Sequence, residues 1–263
     1  WVNLPNGIPA SSSLTIYLGF ASKTTNLLSN SGTSGIGEAP QLSSTYGQYD
    51  DGAKVFNVYL NFAGTTLPSG FISAKSSDGT FSINNGLTMG TGTNVAPSYS
   101  YLVSTSLYPP QLVEYYLASI ISNPNGFGGI GTDSGFSSST SPAANDNNNF
   151  YNFSGGSIVS SSGSWYYNLV NNGGVILSTN GAFNTGIYTS NINPFQYYLN
   201  YNLVASNTIA VTNSLYLFLG ISSFGSSAYN PRSESILVDW LRTRALPPNG
   251  VMPSVSFGSL SSA

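Results

Sequence analysis

The sequence has no cysteine and no histidine, and only six basic and nine acidic residues among its 263. Disulfides, thiol nucleophiles, the usual zinc ligands and the imidazole of most acid–base chemistry are therefore excluded. Stability has to come from packing and hydrogen bonds. The net charge is −3 and no block of like charge occurs, which argues against nucleic acid as a partner. No apolar run approaches the roughly 18 residues of a membrane-spanning helix. The longest candidate, Leu215 to Ile221, is strand-sized. Glu, Lys, Arg and Met, the ordinary helix formers, are scarce.

What the chain does hold is 29 Gly, 14 Pro, 18 Tyr and 14 Phe in a background of Ser, Thr and Asn. That mixture favours many short strands joined by turns, and a domain of this size buries roughly 75% of its unfolded surface. Few ionisable groups also mean that folding is weakly coupled to pH. Two settings fit equally: an acidic or harsh extracellular medium, and an ordinary Ser/Thr-rich secreted protein. The chain opens on Trp1 with no charged-then-apolar leader, and the expectation is a processed N-terminus.

Alternation organises the chain in order. Leu14, Ile16 and Leu18 alternate with Thr15, Tyr17 and Gly19, so one face of this segment wants a partner sheet. Ala21 to Gly52 turns Ser/Thr/Gly/Asn-rich, and the domain boundary is placed inside it: an N-terminal β arm or partial domain plus linker over 1–50, and a β-sandwich over 51–263. Strands are expected at Val55 to Phe62, Phe71 to Ala74, Thr80 to Ile83, Leu87 to Met89, Tyr99 to Ser104 and Gln111 to Ile121. Further strands are expected at Phe150 to Phe153, Ile158 to Val159, Trp165 to Val170, Gly174 to Ser178, Phe195 to Tyr201 and Leu215 to Gly220. Ser77-Asp78-Gly79 and Asn84-Asn85-Gly86 supply turns at sandwich spacing. Asn123 to Asn149, with its GFGGIG, Ser run and DNNN, reads as a long surface excursion.

Near the C-terminus, Ile236 to Leu260 concentrates Asp239, Arg242 and Arg244. Val238, Trp240, Arg242 and Arg244 share one parity; Leu237, Asp239, Leu241 and Thr243 share the other. The reading is a strand, stopped by Pro247-Pro248-Asn249-Gly250, followed by a second strand carrying Val255 and Phe257: the closing pair of a sandwich.

This Asp-Trp with following arginines, Pro-rich bend and terminal Val-Ser-Phe-Gly resembles the end of a concanavalin-like, or laminin-G-like, jelly roll. Such jelly rolls follow a domain of unknown function in archaeal and bacterial cell-surface proteins. Trp1-Val2 through Ile8-Pro9-Ala10-Ser11, then Leu14 to Phe20, resembles the closing strands of that upstream domain. Val55-Phe56-Asn57 with Asn61-Phe62-Ala63-Gly64 resembles the first jelly-roll strand. The resemblance implies an antiparallel sandwich of jelly-roll type and is nearly silent on activity.

Candidates for chemistry are thin. Glycoside hydrolysis needs two carboxylates, but Glu38, Glu114 and Glu234 are isolated in sequence, with Glu114 the least implausible acid. A serine nucleophile lacks histidine, and Lys23, Lys54 and Lys75 sit in no Ser-x-x-Lys context. Asp50-Asp51-Gly52 and Asp146 with Asn147 to Asn149 could offer oxygen ligands to calcium, but read better as turns. The expectation is a chain that is no enzyme and binds neither cofactor nor metal. Trp165, Tyr166 and Tyr167, and Tyr197-Tyr198 with Asn200 to Asn202, have the composition of a carbohydrate-binding surface, but alternation alone forces one of each adjacent pair outward, and they read better as core or surface-girdle residues. Asn152-Phe153-Ser154 is the single N-glycan sequon.

The function that fits most of these features is an extracellular structural subunit of a cell-surface filament or surface layer. It would assemble into a homopolymer by strand addition through the apolar arm of Trp1, Val2, Leu4, Leu14, Ile16, Leu18 and Phe20. The alternative is a carbohydrate-binding adhesin on the cell surface, with glycans as ligands.

Overall fold

A computed structural model describes residues 8–9, 11–15, 52–92, 98–120, 129–136, 153–161, 164–172, 174–223, 235–245, 256 and 258. Beyond one helical turn, α1 (Gly52–Val55), the regular structure among these is strand. In chain order the strands are β1 (Val58–Leu60), β2 (Phe71–Lys75), β3 (Thr80–Ile83), β4 (Leu87–Gly90) and β5 (Ser98–Tyr108). Then come β6 (Leu112–Ile120), β7 (Gly129–Phe136), β8 (Phe153–Ser161), β9 (Ser164–Asn171) and β10 (Gly174–Gly181). The last are β11 (Gly186–Ile192), β12 (Phe195–Leu199), β13 (Asn202–Ser206), β14 (Leu215–Ser223) and β15 (Ser235–Arg244).

They form two stacked antiparallel sheets, a sandwich of jelly-roll type. The larger sheet runs β13-β12-β11-β6-β15-β4-β3, and β1 pairs with the far half of β15. The smaller runs β10-β9-β8-β7-β14-β5-β2. Between them lie Val113, Tyr115, Leu117, Tyr188, Tyr197, Val238 and Leu241 from the larger sheet, facing Leu102, Ile158, Leu169, Leu217, Leu219 and Ile221 from the smaller. Each such fully buried aliphatic side chain stabilises the fold by about 1.5–3 kcal/mol. Tyrosine extends this core without leaving a polar atom stranded. Tyr188 stacks on Tyr115 at 5.3 Å and on Tyr197 at 5.8 Å, and the Tyr115 and Tyr197 hydroxyls share a 3.0 Å hydrogen bond. A second buried cluster, Tyr99, Tyr101, Val103, Val170 and Phe218, occupies the other face of the smaller sheet.

The structure departs from the sequence reading in four places. The expected first strand, Val55 to Phe62, is a helical turn followed by a three-residue strand, because Phe56 N–H donates to Gly52 O at 2.9 Å. The excursion expected over Asn123 to Asn149 contains β7, an interior strand. Its GIGTDSGF has little β-propensity of its own, but pairing on both sides, with β8 and β14, supplies ladder bonds along both edges. β11 and β13 form where no strand is expected, and β11 hides Tyr188, Ser190 and Ile192 on its core face.

The fourth departure concerns β15, which lies inside the larger sheet between β6 and β4. Of the strand expected to close the sandwich with it, Ser256 and Gly258 carry no strand, and Val255 and Phe257 lie outside the described residues. The parity of β15 also changes midway. The register with β6 shifts between Leu237 and Val238, where Ala118 is the extra residue on β6, and shifts back between Val238 and Trp240, where Asp239 is the extra residue on β15. Val238 and Leu241 consequently both face the core, and Trp240 parts from Val238 to join Arg242 and Arg244 outside.

Candidate functional site

The outer face of the larger sheet brings Arg242 and Arg244 to Glu114 in a nearly uncharged chain. On β6, Val113, Tyr115 and Leu117 point inward, so Glu114 and Tyr116 point outward. On β15 the bulge places Trp240 opposite Tyr116 and Arg242 opposite Glu114. Glu114 has no exposed side-chain surface. Arg242 Nε donates to its Oε2 at 2.8 Å and Arg244 Nε to its Oε1 at 3.1 Å, with 12% and 14% of the arginine side chains exposed. From β11, the Thr189 hydroxyl donates to Glu114 Oε1 at 3.3 Å.

Aromatic rings frame this triad. The Arg242 guanidinium lies 4.4 Å from the Trp240 ring centre and 4.6 Å from that of Phe56, a double cation–π contact. The turn of α1 sets Phe56 in place: it stacks at 5.9 Å on Tyr59, and Gly52 lies so close to the Tyr59 ring that a Cβ would come within 2.6 Å of it. Tyr116 stacks on Trp240 at 6.0 Å. Burial pushes the Tyr198 hydroxyl up from its ordinary pKa, and the Arg244 charge pulls it back down, so Tyr198 lies within the field of that guanidinium.

Tyr201 closes the frame through an unusual backbone. Leu199 pairs with Asn202, leaving Asn200 and Tyr201 as a two-residue hairpin turn with φ of 48° and 65°. Two positive φ values define the I′ form, which suits Asn and Gly. A bulky tyrosine there is an outlier. Asn200 holds the turn, accepting from Ile187 N–H at 2.9 Å in a space that exists because Gly186 has no Cβ. The Tyr201 ring is left half exposed, and its hydroxyl accepts from Arg242 Nη2 at 3.3 Å.

Asp239, in the β15 bulge, is 6% exposed and lies beside Gly86, and burial alone pushes its carboxyl above the usual range.

Of the aromatics singled out by sequence, Tyr167 is in the core with its hydroxyl donating to Ala182 O at 2.9 Å, and Trp165 packs at 4.8 Å on Phe183 at the core's edge. Only Tyr166 of that trio faces outward. Tyr197 is likewise buried, while its neighbour Tyr198 belongs to the outer face. Leu14 is 52% exposed. Trp1, Val2, Leu4, Ile16, Leu18 and Phe20, the sequon Asn152, and Asp50, Asp51 and Asp146 lie outside the described residues. Tyr201 falls within the Asn200 to Asn202 segment that the sequence offers as a carbohydrate-binding surface; Phe56, Tyr59, Tyr116 and Thr189 are not singled out as site residues, and nothing local marks them.

Among the described residues no helix is long and apolar enough to cross a membrane. No protein-family model matches the chain. A 61-residue stretch is 46% identical to Uncharacterized protein 562 of Sulfolobus islandicus rod-shaped virus 1, covering 23% of this chain and 10% of that protein's length. Among solved structures, a Bacillus licheniformis β-glucanase is 14% identical with a TM-score of 0.46, over 71% of this chain and 96% of that one. The apo Crh5 transglycosylase is 11% identical with a TM-score of 0.49, over 73% and 85%. The Emp47p carbohydrate recognition domain is 9% identical with a TM-score of 0.44, over 78% and 98%. At these identities the likeness is one of fold. It nevertheless corrects the expectation that the chain is no enzyme. The similar structures include β-glucanases and a transglycosylase, and two-carboxylate chemistry needs neither the histidine nor the cysteine whose absence prompted that exclusion.

Proposed function

We propose that the chain is a carbohydrate-binding module of an extracellular or cell-surface protein, and that it binds through the outer face of the larger sheet around Arg242. Saccharides present flat C–H faces ringed by hydroxyls. They are held by exposed aromatic planes beside polar groups that cannot swing away. Tyr201 supplies the exposed plane, with the partly buried Phe56, Tyr116 and Tyr198 beside it, and the Arg242–Glu114–Arg244 triad with Thr189 supplies the fixed polar groups.

The observation that carries the reading is the backbone at Tyr201. Holding a bulky side chain at φ 65° costs stability, on the order of 1–3 kcal/mol, and such outliers cluster at ligand clamps. The Tyr201 hydroxyl meets Arg242 Nη2, and the half-exposed ring is the part of the side chain offered to a ligand. The test is Tyr201→Gly. Asn-Gly is the preferred I′ pair, so the variant should melt at or above the parent's temperature while losing roughly tenfold or more in affinity for the glycans that the parent retains on an array. A parent that retains no glycan, or a variant that binds as well as the parent, would sink the reading.

A second reading, assembly into a homopolymer by strand addition, is favoured by one specific feature. The edge strand β10 carries no charged residue or proline to discourage pairing, and its Val175 is 57% exposed. Leu14, in the segment that would be donated, is also exposed. Electron microscopy of the native material would show filaments with one subunit per repeat. A chain that stays monomeric at high concentration rules this reading out.

A further inference from the structure

We propose that a second saccharide subsite lies on the same face of the larger sheet, at the open end of the β12–β13 hairpin, and that the ligand is an uncharged oligosaccharide long enough to reach it from Tyr201. This rests on the carbohydrate-binding reading and adds the ligand's length and neutrality. Pro194, Gln196, Ser206, Asn207 and Thr208 line an open depression of about 420 Å³ there, room enough for a sugar residue. None of the five is charged, and neither is any residue from 147 to 231. A carboxylate or sulfate would find no cation in it.

Register ties the depression to the face already described. Phe195, Tyr197 and Ala205 are buried in the core, so Gln196, Tyr198 and Ser206 point outward. Thr189, which donates to Glu114, pairs with Tyr198, and Asn191, two residues further along β11, pairs with Gln196. Gln196 is therefore the next outward position along β12, about 7 Å beyond Tyr198. Tyr201, in the turn, lies on the other side of Tyr198. Leu203 pairs with Tyr198 and is 52% exposed, which gives the sugar C–H faces an apolar surface between the two ends.

Hydrogen bonding decides which way the amides face. Asn191 is fully buried, and its Oδ1 accepts from Asn193 N–H at 3.0 Å, so its Nδ2 is the end that meets Gln196, 3.3 Å away. Gln196 can answer a donor only with Oε1, which leaves Nε2 as its other end. Asn207 is set in the same way, its Oδ1 accepting from Ile209 N–H at 3.0 Å. Backbone bonds from Asn207 N–H to Phe195 O at 2.8 Å and from Phe195 N–H to Ile209 O at 3.0 Å hold this segment against β12. Among the described residues no acceptor meets Gln196 Nε2 or Asn207 Nδ2. Two amide donors are thus fixed in direction before any ligand arrives, beside the exposed hydroxyls of Ser206 and Thr208 and the exposed ring of Pro194. Sugar hydroxyls are matched to such a set, because each both donates and accepts.

The test is calorimetric titration of the intact chain with neutral gluco-, manno- and galacto-oligosaccharides, each as a disaccharide and a hexasaccharide. In at least one series the parent should bind the hexasaccharide at least about tenfold tighter than the disaccharide. Gln196→Glu keeps the acceptor that Asn191 requires and removes the amide donors, so it should fold like the parent and bring hexasaccharide affinity down to near that of the disaccharide. Ser206→Ala, at an exposed hydroxyl, should weaken the hexasaccharide alone, and it decides the matter if Gln196→Glu melts early. Tyr201→Gly should weaken both lengths. Equal affinity for the two lengths, or full hexasaccharide affinity in both subsite variants, overturns the second subsite and leaves binding at Tyr201 standing. No binding of any of the six, with other glycans still retained on the array, overturns the neutral ligand; an empty array overturns the carbohydrate reading as a whole.

Discussion

Replacing Glu114 by glutamine keeps the size and shape of a side chain with no exposed surface, and removes the charge that two arginines share. Both charge-assisted hydrogen bonds weaken, and two guanidiniums are left facing each other across a neutral amide. Removing one partner of a fully buried ion pair costs about 3–5 kcal/mol. Here the arginines are 12% and 14% exposed, so they can relax toward water. Arg242 is also held by two rings, whatever Glu114 becomes. The lower end, about 3 kcal/mol, is the expected loss. At about 2–4 °C per kcal/mol for a chain of this size, the melting temperature should fall by roughly 6–12 °C. Urea unfolding of the parent, Glu114→Gln, Arg244→Gln and the double variant would measure it. The double variant should lose less than the sum of the singles, by about 2 kcal/mol, because the charge-assisted bond between Arg244 and Glu114 is already weakened once Glu114 is neutral. A Glu114→Gln loss below about 1 kcal/mol is what an exposed pair gives, and it would refute the burial and fixed geometry on which the site depends.

Gly156→Ala should destabilise the sandwich by about 1–3 kcal/mol in urea unfolding, because the added Cβ would drive into the ring of Tyr197 from the opposite sheet. An unchanged midpoint would mean that the sheets separate more easily than the tyrosine core implies. Asp239→Asn tests the pH behaviour. A carboxyl whose pKa is raised in the folded state binds its proton more readily folded than unfolded, so parent stability should fall as pH rises from below the ordinary carboxylate value through the raised one. The variant should therefore be the more stable at neutral pH, with the gain vanishing in acid; a gain constant across that range would show that Asp239 titrates normally.

Alternation and turn chemistry made the sandwich legible wherever a strand's own side chains decide its faces. Phe71 to Ala74, Leu87 to Met89 and Leu215 to Gly220 lie within β2, β4 and β14. Gln111 to Ile121, which also had helical spacing, became β6 because two neighbours bond it. The reading lapsed where neighbours decide everything. The backbone of β7 is held by strands on both sides, and no run of β-branched residues announces it. The tyrosines are ambiguous for a related reason. Trp165-Tyr166-Tyr167 suits a binding surface or a core by composition, and because the core itself is built of tyrosine, aromatic content does not separate inside from outside.

The site turns on a single extra residue. With strict alternation along β15, Trp240 would share a face with Val238, and Leu241 would share one with Asp239. The bulge between Val238 and Trp240 instead lets Val238 and Leu241 both enter the core, while Trp240, Arg242 and Arg244 emerge together outside. Only then can Trp240 stack on Tyr116 and both arginines reach Glu114, which the neighbouring strand presents at the same level. A bulge is a property of the pairing between two strands, and no residue type in Ile236 to Arg244 marks it. The sequence therefore reveals that charge is concentrated there, and the pairing of β15 with β6 determines that it meets one carboxylate on the outer face of the sheet.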